Sequence, residues 1–169
     1  MMKATKRVVI GFAVMLLNIT TINAKASPQV SYPCSVVLKA ARDIQNAQGV
    51  AFITTVRKPY TDSTNSPIRE RISVGVYGDW LPSPASFGDY DQYEGFAQIP
   101  GTISWRFKMY PVKEDFPSAF GGTAWVGRFD EISARLTSDT RVEVRLSNSR
   151  TNKLGDVILQ STLEKCRVK

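Results

Sequence analysis

Apolar and polar residues alternate with a period of two in several separate segments of this chain. In 102–110, the apolar residues Ile103, Trp105, Phe107 and Met109 fall on one face of an extended strand. Because successive side chains of a β-strand point to opposite faces, this pattern predicts strands with one buried face. Alternation or a β-rich composition also marks 49–57, 69–77, 141–146 and 156–163. The pattern predicts an all-β fold.

Turn-forming residues separate these segments, as at Pro59, Pro100-Gly101 and Gly155. Short strands joined in this way predict a single antiparallel β-sandwich of about six to eight strands. One segment, 35–48, leaves two interpretations open. Its Lys-Ala-Ala-Arg run favours a short N-terminal helix by propensity, whereas its two adjacent valines favour a strand that turns through 46–49 into the next one.

The first 26 residues have the three parts of a secretory signal peptide. Three positive charges precede an apolar run at 8–19, and Ala24 and Ala26 stand at the two positions that a signal peptidase reads. A membrane anchor is the alternative, but a span needs about 20 apolar residues, and no later segment is long enough either. We therefore predict cleavage near Ala26 and a single secreted β-sandwich domain at 27–169, extracellular or on the cell surface.

The charge of the predicted mature chain is modest. The full sequence has 22 basic and 15 acidic residues, a net charge of +7, and residues 1–26 carry four of the bases and none of the acids. The remaining net charge of +3 comes from scattered residues. A nucleic-acid partner would require a clustered basic surface, so we predict none.

The sequence contains two cysteines, Cys34 and Cys166. In an exported chain the default for two cysteines is one disulfide, and the alternative is two free thiols. The bridge would tie the two ends of the domain together. It would also make the first and last elements neighbours, so that a strand leaving Cys34 could pair with the strand that approaches Cys166.

The sequence contains no histidine. This absence excludes the Ser-His-Asp and Cys-His mechanisms and argues against most catalytic zinc sites. No nucleotide-binding glycine loop or hydrolase motif is present either. We therefore predict a protein that is not an enzyme and needs no cofactor, with a carboxylate-dependent glycosidase as the less favoured alternative.

Aromatic and acidic residues are concentrated in 72–105, which has four acids, seven aromatic residues and no Lys or Arg. Rings that stack on sugars beside carboxylates that accept from hydroxyls are typical of a carbohydrate site. A solvated loop is the alternative, and Asp89 and Asp91 could also contribute oxygen ligands to calcium. The predicted contact residues are Trp80, Asp89, Tyr90, Asp91, Tyr93 and Glu94.

These features favour an extracellular or cell-surface binding module for a glycan, a wall polymer or a protein partner. An assembly component of an envelope or matrix layer is the alternative, and it would self-associate through an unprotected sheet edge. The sequence leaves the identity of the ligand and the oligomeric state open.

Overall fold

The structure, a computed structural model, describes residues 28–113 and 122–167, and the predicted signal peptide at 1–26 lies outside this part of the chain. Within the described residues, the chain forms nine β-strands and two short 3₁₀ turns, which confirms the all-β prediction. The strands are β1 (Cys34–Ala40), β2 (Gln48–Pro59), β3 (Ile68–Leu81), β4 (Gln92–Ile99), β5 (Ile103–Lys108), β6 (Tyr110–Pro111), β7 (Thr123–Ile132), β8 (Arg141–Ser147) and β9 (Leu154–Thr162), and the 3₁₀ turns are Pro84–Phe87 and Glu164–Cys166.

The described strands form one antiparallel sheet in the order β5-β4-β8-β9-β1-β2-β3-β7-β6. The strands β5 and β6 stand at opposite ends of this order, yet only Met109 separates them along the chain. The sheet must therefore curl until its two ends lie side by side. The Met109 N–H donates to the Tyr93 carbonyl oxygen at 3.1 Å. Two separate packed sheets, which the sandwich prediction requires, are not confirmed.

A glycine permits the close approach of the two ends. A Cβ atom at Gly127 of β7 would lie 2.6 Å from the Lys108 carbonyl oxygen at the end of β5. That distance is far shorter than a normal contact, so any larger residue would force the ends of the sheet apart.

The inner face of the curled sheet holds the core. Val74 and Val76 of β3 and Val142 and Val144 of β8 are at most 2% exposed, as their alternation predicts. The strand β5 follows its predicted pattern only in part, because Ile103 remains 44% exposed. Ile103 is the first residue of β5 and pairs only with Ile99, the last residue of β4. The strand β5 is at one end of the strand order, so no strand pairs with Ile103 on its other edge.

Residues 35–48 form a strand and a turn, so the helix interpretation of this segment is wrong and the hairpin interpretation is confirmed. Val36 and Leu38 are buried, whereas Val37 and Lys39 between and after them are exposed, which is the period of a strand. The turn contains Asn46 in the left-handed region, with φ 62°. Pairing with β2 and β9 supplies hydrogen bonds and burial that outweigh the helix propensity of the segment.

The predicted disulfide between Cys34 and Cys166 is present, with the two Cα atoms 5.8 Å apart. The strand that leaves Cys34 pairs with β9 as predicted, through Lys39 and Ala40 at the far end of β1 from the disulfide. The Ser31 N–H donates to the Cys166 carbonyl oxygen at 2.9 Å, and Val30 forms a β-bridge with Arg167. The two ends of the described chain are therefore joined covalently and by hydrogen bonds.

Candidate functional site

The predicted contact residues begin with Trp80, near the end of β3. Trp80 is half-buried and has a φ of 55°, at an irregularity in the pairing of β3 with β7. Its backbone N–H donates to the Asp79 carboxylate at 2.9 Å. This local bond helps to hold the unusual backbone conformation, which coincides with the shift in the β3–β7 pairing between Gly78 and Leu81.

Tyr93 lies in the core. Its side chain is completely buried, and its hydroxyl donates to the Pro82 carbonyl oxygen at 2.9 Å. The ring meets Trp125 edge to face, with centroids 5.1 Å apart. Burial raises the pKa of Tyr93 above its ordinary value. The side chain therefore supports the interior and has no accessible surface for a ligand.

Glu94 points to the opposite face of β4 from Tyr93, and its side chain is only 4% exposed. Its two carboxylate oxygens have different donors: Arg106 of β5 binds Oε2 through Nε, and Gln92 donates to Oε1 at 3.1 Å. Arg106 also donates to the Ser147 hydroxyl at 3.1 Å. Glu94 is thus the centre of a polar network that links β4, β5 and β8 on the outside of the sheet.

Asp89 and Asp91 lie beside the hairpin that joins β8 to β9. The Asp91 carboxylate accepts from the Ser149 hydroxyl at 2.5 Å and from the Ser149 backbone N–H at 2.8 Å, and these bonds lower the pKa of Asp91. The Asn148 side chain donates to the Asp89 carbonyl oxygen at 2.9 Å. The exposed Asp89 carboxylate lies 3.6 Å from Arg150. The segment and the hairpin therefore support each other.

Tyr90 packs against the same hairpin. It is half-buried, and a Cβ atom at Gly155 would lie 2.6 Å from its ring. The six predicted residues are thus not brought together on one surface: Tyr93 and Glu94 are buried on opposite faces of β4. The carbohydrate interpretation stays a prediction for Trp80, Asp89, Tyr90 and Asp91, which keep some exposure.

Within 28–113 and 122–167, no three His, Cys, Asp or Glu side chains lie close enough together to hold a metal ion. Calcium binding at Asp89 and Asp91 stays a prediction. The same part of the chain contains no helix long and apolar enough to cross a membrane.

A different feature of the outer face was not predicted from the sequence. Five exposed apolar residues lie directly opposite one another across β1, β2, β3, β7 and β6, with 38% to 63% of each exposed. In register these are Val37, Val50, Tyr77, Val126 and Tyr110, which we call the outer apolar row. With strands about 4.8 Å apart, the row is about 19 Å long.

Two further rows flank the outer apolar row. On one side Phe52, which is 50% exposed, lies next to Gly75, and Gly75 lies next to Arg128. No atom lies closer than 3.9 Å to the Cβ position of Gly75, so this glycine forms a notch in the surface. On the other side, Lys39 and Asp79 flank the row on β1 and β3. The surface is therefore apolar at its centre and charged at its margins.

A cluster of charges on the same side of the sheet surrounds Glu131. Its carboxylate lies 2.5 Å from Lys58, 3.0 Å from Arg69 and 4.0 Å from Arg71. The hydrogen bond from Lys58, reinforced by the nearby arginine charges, lowers the pKa of Glu131. Because one carboxylate neutralises only part of three cations, this margin stays basic.

The sequence profile of the family described as "SPbeta prophage-derived uncharacterized protein YoqH" matches residues 30–167, which include every strand of the sheet and both cysteines. The chain belongs to the YoqH family. A YoqH protein of that description from Bacillus subtilis (strain 168) is 46% identical over 147 residues, which are 86% of this chain and 87% of the relative. No solved structure is detectably similar to the chain.

Proposed function

We propose that this protein is an exported, non-enzymatic binding module whose outer apolar row binds a second copy of the same chain. The observation that carries this proposal is the alignment of five exposed apolar side chains in one cross-strand row. Contiguous apolar patches and exposed aromatic residues are typical of protein interfaces. The signal-like pattern at 1–26 and the single disulfide support export.

The carboxylates of the acidic segment support a non-enzymatic role. Both oxygens of Asp91 accept hydrogen bonds from Ser149, and both oxygens of Glu94 are bound by Gln92 and Arg106. A glycosidase would need one carboxylic acid with a raised pKa and one free carboxylate facing the same cleft. Asp91 instead has a lowered pKa.

The size of the surface fits a reversible dimer. The three rows cover roughly 500 Å² of the sheet. Because the sheet curls, β1 and β6 at the ends of the row turn away from a partner centred on β3, so each copy would bury less than this area. Stable interfaces cover about 800 Å² on each partner, and smaller ones are typical of weaker complexes. We therefore expect dimerisation that depends on protein concentration.

The charges at the margins are complementary under two-fold symmetry. A two-fold axis that runs along the outer apolar row places Asp79 of the second copy over the notch at Gly75, beside Arg128. The Arg128 side chain is 70% exposed and has donors beyond its ion pair with Asp130 at 2.9 Å. Symmetry repeats the contact, so each dimer would gain two such ion pairs.

Sedimentation equilibrium of the oxidised, secreted protein tests this proposal. We expect a monomer–dimer equilibrium, and we expect the double variant Val50→Thr, Val126→Thr to raise its dissociation constant about tenfold or more, because it places two hydroxyls at the centre of the interface. Ile103→Thr is the matched control, since Ile103 is similarly exposed but lies outside the row. A protein that stays monomeric up to about 0.5 mM, or an equal loss in the control, would contradict the proposal.

A charge exchange tests the orientation. Arg128→Asp alone and Asp79→Arg alone should each weaken the dimer, because each places like charges together. The double variant should recover most of the affinity, because it rebuilds both ion pairs in reverse. If the double variant keeps the melting temperature of the parent but dimerises no better than the single ones, the two-fold arrangement is wrong even if the row is the interface.

A further inference from the structure

A cavity of about 380 Å³ opens at one end of the curled sheet, between the N-terminal segment, β2, β3 and the chain that follows β7. This volume lies in the range of small-molecule sites. Its apolar lining includes Val30, Ile72, Ile132 and Leu136, each at most 8% exposed. The cavity therefore reaches the edge of the core, where these largely covered side chains form its floor.

The strand β2 shows why the interior opens here. Its inward positions are Ala51 and Ile53, both completely buried, and then Thr55, which is exposed and lines the cavity. The opposite residue on β3 is Ile72. The two strands thus continue past the packed core, and their inward faces form a wall of the cavity.

Two polar side chains of this cavity, Tyr32 and Arg135, are available to a ligand among the described residues. The Tyr32 hydroxyl oxygen is buried, and no described residue gives it a hydrogen bond of normal geometry, although the Leu136 backbone lies close to it. A buried hydroxyl without a partner is unfavourable, and a ligand acceptor would relieve this. Arg135 also lines the cavity and forms no ion pair with the described residues, and its charge acts on Tyr32.

We propose that this cavity binds a small amphipathic carboxylate, with its apolar part on the core residues and its carboxylate bound by the Tyr32 hydroxyl and the Arg135 guanidinium. Arginine and a hydroxyl donor are a suitable pair for a carboxylate. Glu70 lines the same cavity and disfavours ligands with a second negative charge. The inference goes beyond the proposed dimer, because it concerns a different site and does not depend on dimerisation.

Isothermal titration and thermal melts with straight-chain carboxylates from butanoate to decanoate test this inference. The affinity should rise with each added CH₂ as long as the added carbon contacts an apolar lining residue, and it should stop rising for longer alkyl chains. Octanamide is the matched probe without the charge, and we expect it to bind about tenfold more weakly than octanoate. Absence of binding at every chain length, or equal binding of octanamide, would overturn the proposal.

Substitutions of two lining residues test whether octanoate binds in this cavity. Arg135→Gln and Tyr32→Phe should each weaken octanoate binding, by about tenfold and by several-fold respectively. Arg150→Gln is the control, because Arg150 is a highly exposed arginine on the β8–β9 hairpin, at the other end of β8. If Arg135→Gln, an exposed substitution that should fold, binds octanoate as the parent does, the site is wrong.

The same titration on a protein with a disrupted outer apolar row separates this inference from the proposed dimer. The double variant Val50→Thr, Val126→Thr should bind octanoate like the parent, because both residues lie on the outer face and do not line the cavity. Loss of octanoate binding in that variant would contradict the independence of the two sites.

Discussion

Replacing Glu94 with Gln tests whether this carboxylate is a structural group or a ligand-binding one. In the folded protein, Glu94 is 4% exposed and accepts from Arg106 and Gln92. Glutamine keeps the shape and the acceptor that Gln92 uses, but it removes the charge and presents an amide to Arg106. If Glu94 has a structural role, the substitution must lower the free energy of unfolding even when no ligand is present.

The expected magnitude follows from burial. Removing one partner of a buried ion pair costs about 3–5 kcal/mol, because the other charge is left without a partner. Arg106 is 33% exposed, so water recovers part of that penalty. We expect Glu94→Gln to lower the free energy of unfolding by about 2–3 kcal/mol and the melting temperature by about 6–9 °C.

Urea unfolding of the oxidised protein, followed by tryptophan fluorescence, measures the change. The double variant Glu94→Gln, Arg106→Gln should be more stable than Glu94→Gln, because no charge is then left unpaired. Glu164→Gln, an exposed acid in the last 3₁₀ turn, is the control. If Glu94→Gln unfolds within about 0.5 kcal/mol of the parent, the structural interpretation of Glu94 is refuted.

Two other predictions concern stability. Replacing Cys34 and Cys166 with serine opens a link between residues separated by 132 positions, and loop entropy predicts a loss of about 5 kcal/mol, which urea midpoints measure; a loss below about 1 kcal/mol would contradict this account. The lowered pKa of Asp91 contributes stability that is present above its unfolded pKa of about 4 and is lost as the pH falls through the folded pKa. The difference in unfolding free energy between the parent and Asp91→Asn should therefore shrink on acidification, and a constant difference would show that Asp91 stabilises the fold by another route.

Local patterns predict much of this fold. The alternation around Val74 and Val144 depends only on the geometry of a strand, so it identifies buried faces without knowledge of the neighbours. The pairing of Cys34 with Cys166 follows because the sequence contains two cysteines, which allow one disulfide within the chain. The curled single sheet depends instead on Met109, a one-residue link between the two ends of the strand order, and no local pattern distinguishes that link from a simple bend.

The candidate sites were harder to predict because they depend on register. Tyr93 and Glu94 are neighbours in an acidic, aromatic segment, so they point to opposite faces of β4. Which face is the core depends on their distant contacts: the Tyr93 hydroxyl donates to the Pro82 carbonyl oxygen, and Glu94 pairs with Arg106 of β5. The outer apolar row has a weak signal in the sequence, an apolar residue at an outward position on each strand. Only the alignment of Val50 with Tyr77 and Val126 reveals a continuous surface.

The strand order also determines when the protein can protect its own surfaces during synthesis. The strands β1, β2 and β3 are made first and pair in sequence, but β7 must be made before it can cover β3, and β9, the last strand, must be made before it can cover β1. Until then, the inner faces of these three strands and the unpaired edges of β1 and β3 are open to water together. Such exposed strands are prone to aggregate. A chaperone would therefore be needed most between the completion of β3 and the arrival of β9, and the disulfide can form only after that interval ends.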